Sequence, residues 1–128
     1  MKAVHLEATY NTPKVDFDPK TGELKLYGRS IPEQPSVFYS PLISWISEFG
    51  DGKPPRIKFM MMVDYINSSS VKYIMGLFEK LEQIRHNGTD VQVEWYYEED
   101  DEEMRDVGEE YEEAVDVPFT FIALEEFD

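Results

Sequence analysis

Asp64-Tyr65-Ile66-Asn67-Ser68-Ser69-Ser70-Val71-Lys72 reads as the end of a strand that turns directly into a helix. Residues 57–66 before it include Phe59, Met60, Met61, Met62 and Val63 with almost no polar alternation. That pattern predicts a central strand covered on both faces. After it, Val71, Ile74, Met75, Phe78, Leu81 and Ile84 recur at three- and four-residue intervals, the single apolar stripe of a helix. Three hydroxyls crowd the junction. A serine at a helix start can accept a hydrogen bond from an unpaired N–H of the first turn, which makes it a cap. A phosphate there would meet the same donors and the positive end of the helix dipole, so a phosphoserine would also be electrostatically welcome. The carboxyl end of a strand in an open α/β sheet is also where ligands and partners dock.

Working toward the N-terminus, Gly50-Asp51-Gly52-Lys53-Pro54-Pro55 separates this strand from an earlier helical pattern of Val37, Phe38, Leu42, Trp45, Ile46 and Phe49. Pro41 lies inside that pattern, so the regular helix is expected to start near it. Earlier still, Val15 and Phe17 alternate with polar neighbours, Asp18-Pro19-Lys20-Thr21-Gly22 supplies turn chemistry, and Leu24 and Leu26 resume the alternation, predicting a hairpin. Working toward the C-terminus, His86-Asn87-Gly88 ends the serine-led helix with a left-handed cap. Val91, Val93, Trp95 and Tyr97 then form an alternating strand. Met104, Val107, Tyr111 and Val115 keep a helical stripe within an acidic segment, and residues 117–124 close with a strand that has Pro118 near its start. The expected fold is α/β: one domain over residues 1–128, a mixed β-sheet with an N-terminal hairpin, flanked by about three helices.

With 128 residues, 41% of them hydrophobic and 14% aromatic, the chain has the means to bury a core without staples. It contains no cysteine, which excludes a disulfide framework, thiol catalysis and cysteine metal sites, and fits a cytoplasmic location. No signal peptide or membrane span is expected. The net charge of −15 argues against nucleic acid and anionic membranes as partners, leaving proteins. Residues 98–113 hold 11 acidic residues and one arginine, so −10 of the −15 is local.

Cofactor fingerprints are absent: there is no Gly-rich phosphate loop, no GxGxxG, no HExxH and no EF-hand spacing. His5 and His86 fall in an early strand and at a helix end, and nothing in the sequence sets either beside Ser68 as a base. No catalytic residue is therefore assigned, and His86 has a structural explanation at a helix C-terminus. The carboxylates of residues 98–103 point in several directions on a forming helix, which reads as a solvated face. The alternative is a small acidic metal-binding protein or enzyme using the segment 98–113 for a hard cation. Met60, Met61 and Met62 alternate faces and read as core filling rather than a soft-metal site. Trp45 and Trp95 read as core anchors.

Thr12-Pro13, Gly28-Arg29-Ser30-Ile31-Pro32-Glu33, Phe38-Tyr39 with Pro41 and Trp45, Tyr65-Ile66-Asn67-Ser68-Ser69-Ser70, Trp95-Tyr96-Tyr97-Glu98-Glu99-Asp100-Asp101 and Pro118-Phe119 together carry a family likeness over nearly the whole chain. The chain resembles the SiaC family of bacterial biofilm-regulating phosphoproteins, which look like STAS (anti-sigma factor antagonist) domains. In that family a hydroxyl residue after a Tyr-x-Asn element is phosphorylated by a partner kinase and dephosphorylated by a PP2C-type phosphatase. The resemblance places that role on Ser68, where many relatives carry threonine, with Ser69 and Ser70 as alternative acceptors. It implies a partner-binding surface at Tyr65, Asn67, Ser69 and Ser70, and a protein without catalysis or cofactor of its own. It further implies a partner switch, monomeric when free, whose unphosphorylated form stimulates a diguanylate cyclase and so regulates biofilm formation.

Overall fold

The structure, a computed structural model, describes residues 1–127. Among these the elements follow in the order β1 (Val4–Leu6), β2 (Lys14–Asp18), β3 (Glu23–Ser30), α1 (Pro35–Asp51), β4 (Arg56–Ile66), a tight helical turn (Ser68–Ser70), α2 (Val71–His86), β5 (Asp90–Glu98), α3 (Glu102–Ala114) and β6 (Phe119–Leu124). The six strands lie side by side in sequence order. β1, β2 and β3 form an antiparallel meander, and β3, β4, β5 and β6 run parallel.

The predicted hairpin is β2–β3. Asp18 organises its turn by accepting from the Gly22 N–H through its backbone carbonyl and from the Lys20 N–H through its side chain, both at 2.9 Å. Gly22 has φ +76°, and a Cβ there would collide with the Arg56 carbonyl oxygen, so only glycine lets the turn lie against the start of β4.

An unbroken strand order has a consequence for the helices. Each parallel connection advances in the same direction across the sheet, and right-handed crossovers then put α1, α2 and α3 on the same face. The expectation that β4 is covered on both faces is therefore not met. Ile57, Phe59, Met61 and Val63 are buried beneath the helices, whereas Met60 and Met62 sit half-buried on the open face. The sequence hides this alternation because methionine occupies both faces of the strand.

Helix α1 also differs from expectation: it begins at Pro35, well before Pro41. Pro35 occupies the first turn, where a missing N–H costs nothing. Pro41 lies on the exposed side, and the carbonyl it leaves unpaired, that of the equally exposed Val37, is open to water. The buried stripe of α1 is Tyr39, Leu42, Ile46 and Phe49; that of α2 is Ile74, Leu77, Phe78, Leu81 and Ile84. The two helices pack against each other, and α3 covers β5 and β6.

Phe78 joins the layers, its ring meeting Phe59 at 6.0 Å, Trp95 at 6.4 Å, Tyr111 at 5.1 Å and Phe119 at 5.3 Å. Trp95 is the core anchor expected, and its indole N–H donates to the Met104 carbonyl at 3.1 Å. Trp45 is only half-buried, flanked by Phe17 and Phe49, and donates to the Lys2 carbonyl at 2.9 Å. Helix α2 ends at His86, and Gly88 follows with φ +112°. No helix among the described residues is long and apolar enough to cross a membrane.

Candidate functional site

The serine junction lies at the carboxyl ends of β3 and β4, where the register pairs Arg29 with Tyr65 and Ser30 with Ile66 after a bulge between Gly28 and Arg29. Asn67 is extended (φ −75°, ψ 159°), and its backbone N–H donates to the Ser30 carbonyl at 2.8 Å, tying the turn to the end of β3. The chain then coils through Ser68–Ser70 straight into α2.

Capping through a serine side chain is not how this junction is built. Ser70, which precedes α2, makes no side-chain cap bond, and neither does Asn67 before the tight turn. The Ser70 hydroxyl instead points inward, donating to Asn67 Oδ1 at 2.5 Å and accepting from the Ser30 hydroxyl at 3.0 Å. Ser30 in turn meets the Tyr39 hydroxyl of α1 at 2.5 Å. Ser30, Tyr39 and Ser70 are all fully buried. Burial pushes the Tyr39 phenol up to about 12.

The candidate acceptors thus divide. Ser68 and Ser69 are exposed, whereas Ser70 is enclosed. Of the candidate partner-binding residues, Tyr65 stands 58% exposed, Ser69 is exposed, Asn67 is half-buried with its amide turned toward the Pro32 carbonyl at 3.5 Å, and Ser70 faces the interior. Nothing local to Ser30 or Tyr39 signals their part in the network beyond their lying in two of the stretches that carry the family likeness.

Apolar side chains left out of the core gather at this end of the sheet. Val71 and Val37, which helical spacing assigned to core stripes, are 45% and 67% exposed. Tyr10 is 77% exposed, and the Arg29 guanidinium lies 5.1 Å from its ring centre. A shallow concavity of about 470 Å³ is lined by Pro35, Ser68, Ser69, Val71, Lys72 and Tyr73, and another of about 290 Å³ by Arg29, Ile31, Asp64 and Tyr65. Exposed large apolar groups clustered in this way mark an interaction surface.

The acidic segment has a structural role. Asp101 caps α3 by accepting from the Met104 N–H at 3.1 Å, and Glu102 and Glu103 occupy the first turn, where the helix dipole favours them. Met104, Tyr111 and Val115 are buried as the spacing predicts, Val107 is half-buried, and Gly108 faces inward beside them. Among the described residues no three His, Asp or Glu side chains are grouped as metal ligands would be. The histidines lie away from the serines: His5 contacts Asp16 at 2.9 Å, and His86 contacts Asp116 at 2.9 Å.

With this geometry in place, comparison with known proteins assigns the family. The model of the SiaC family regulatory phosphoproteins matches residues 6–124. The chain belongs to the SiaC family. It is 30% identical over 127 residues to an uncharacterized protein of Pseudomonas aeruginosa strain UCBPP-PA14, covering 98% of this chain and 100% of that one. Apo-SiaC from Pseudomonas aeruginosa has a similar structure, with a TM-score of 0.89 at 28% identity over 96% of this chain and 100% of that one. So does SiaC in its complex with the diguanylate cyclase SiaD, whose activator it is, with a TM-score of 0.90 at 27% identity over 94% and 99% of the two chains. The regulatory phosphoprotein family is therefore as the resemblance implied, and the α/β architecture with its N-terminal hairpin is as the residue patterns predicted.

Proposed function

We propose that this chain is a non-catalytic switch: phosphorylation of Ser68 by a partner kinase, reversed by a PP2C-type phosphatase, decides whether it docks on and stimulates a diguanylate cyclase and thereby acts on biofilm formation. It works in the cytoplasm as a monomer that exchanges partners. Support for an output of this kind comes from the relative that is the activator of the diguanylate cyclase SiaD.

The observation that carries the reading is the exposure of Ser68 at the start of a long helix, in a concavity it shares with Val71 and beside the exposed Tyr65. A phosphoryl group there adds about −1.5 to −2 charges. In the free protein that charge is accommodated by the first N–H groups of the helix and by Lys72, four residues on and lining the same concavity. A partner whose apolar surface covers Val71 and Tyr65 would have to desolvate the same charge, and docking is lost. The unphosphorylated surface is thus the docking form. The modification leaves the fold intact and changes only the surface.

Incubation with ATP and the partner kinase, followed by intact-mass analysis and fragmentation, tests the reading. A single phosphate on Ser68, abolished by Ser68→Ala, is the expected result. An active kinase that leaves the protein unmodified, or modifies it outside the serine junction, overturns it.

A further inference from the structure

The chain of three hydroxyls and one amide beneath the junction has a direction. Ser30 has one hydroxyl hydrogen and gives it to Ser70, so in the 2.5 Å contact with Tyr39 the phenol is the donor. Ser70 gives its own hydrogen to Asn67 Oδ1. Hydrogen bonds therefore run one way, Tyr39 to Ser30 to Ser70 to Asn67, from α1 through the end of β3 to the residue before Ser68. No buried side-chain polar atom among the described residues is left without a partner. A backbone bond at each end locks the loop: the Asn67 N–H to the Ser30 carbonyl at 2.8 Å and the Ser70 N–H to the Asn67 carbonyl at 3.0 Å.

We propose that Tyr39, Ser30 and Ser70 are positioning residues that determine which serine of the junction is phosphorylated. This rests on the reading of Ser68 as the acceptor. A hydroxyl attacks a phosphoryl group with a free lone pair while its proton passes to a base. Ser70 can present neither to a kinase: its proton is committed to Asn67, one of its two lone pairs accepts from Ser30, and the other lies inside a site closed to solvent. The same bonds pin Asn67 and so hold the hydroxyl of the next residue, Ser68, outward at the start of the turn. Three consecutive serines would otherwise be near-equivalent substrates; the buried chain withdraws Ser70 and, by pinning Asn67, fixes the residue from which Ser68 projects.

The test uses the full chain with Tyr39→Phe, which keeps the ring, and Ser70→Ala, which deletes the link to Asn67. Amide hydrogen exchange over residues 67–71 needs no kinase. It should quicken at least about tenfold in both variants while exchange in β5 and α3 is unchanged, as expected of a local opening. Phosphate mapping should then find, in Tyr39→Phe, at least about a tenth of the phosphate on Ser69 or Ser70, where the wild-type chain carries it on Ser68. Rescue follows from Ser70→Thr, which restores the hydroxyl and should return both exchange and site choice toward wild type. Unchanged exchange overturns the proposal, as does faster exchange with phosphate still confined to Ser68, which would make the chain structural only. If an active kinase leaves the wild-type protein unmodified, the reading of Ser68 fails, and the site-selection proposal falls with it even when the exchange data agree.

Discussion

Replacing Gly108 by alanine is expected to destabilise the protein by about 2–4 kcal/mol, although helix propensity alone favours alanine by about 1 kcal/mol. Gly108 is buried inside α3, directly over Trp95. A Cβ at that position would lie 2.6 Å from the indole Nε1 and 2.7 Å from Cδ1 and Cε2, about 0.8 Å inside the 3.4 Å at which ordinary contact begins. Trp95 cannot turn aside, because it is fully buried and its N–H is bonded to Met104 of the same helix at 3.1 Å. The strain falls on both partners: α3 is pushed outward, loosening Met104 and Tyr111, and the indole is forced to rotate, which leaves a buried donor unpaired. Overpacking costs about 1–3 kcal/mol and a stranded buried donor about 1–3 kcal/mol. Against the propensity gain, the steric cost wins. Urea unfolding followed by tryptophan fluorescence reads the result, and with a slope of about 2 kcal/mol/M the midpoint should fall by roughly 1–2 M. A midpoint that is unchanged or raised would refute the reasoning, because propensity would then outweigh contact with the indole.

Three further expectations follow from the geometry. Tyr65→Ala removes an exposed ring from the docking surface, so cyclase affinity should drop by about 2 kcal/mol, roughly thirtyfold by calorimetric titration, while stability shifts by no more than about 0.5 kcal/mol. The Asp116 carboxyl is held below its ordinary 3.8 by the hydrogen bond from His86 and the charge of Arg85. A lowered folded value stabilises above the unfolded one and is lost on acidification, so the stability difference between wild type and Asp116→Asn should shrink as pH falls through and below 3.8 in acid titrations of unfolding. Tyr39 has the opposite sign: its folded value is raised from 10.0 to about 12, so the stability it contributes is complete below pH 10 and drains away as pH rises toward 12. Tyr39→Phe should flatten that alkaline limb, and if the variant follows the wild-type slope the phenol is not protected as described.

The sequence announced the junction because its signals are local. The apolar run of β4, the serines and the stripe of α2 are contiguous, and the stripe Met104, Val107, Tyr111 made α3 legible through its acidic coat. Features that depend on distant partners were not legible. The partners of Ser70 are Ser30, 40 residues earlier, and through it Tyr39, so a cap was the natural expectation where the structure has a buried chain. Coverage of β4 depended on the order of the strands, which no periodicity encodes. Only with that order known do Met60 and Met62 fall on an open face. Val37 and Val71 have helical spacing but sit in the first turns of their helices, beyond the edge of the core. Their exposure, which spacing does not reveal, is part of what the proposed docking surface rests on.

The most direct test of the switch is the affinity of the diguanylate cyclase for this protein, unmodified and stoichiometrically phosphorylated on Ser68, measured side by side by calorimetric titration. The account predicts tight binding of the unmodified form and a loss of at least about tenfold, about 1.4 kcal/mol, on phosphorylation, with both forms equally folded. Equal affinity of the two forms would contradict it.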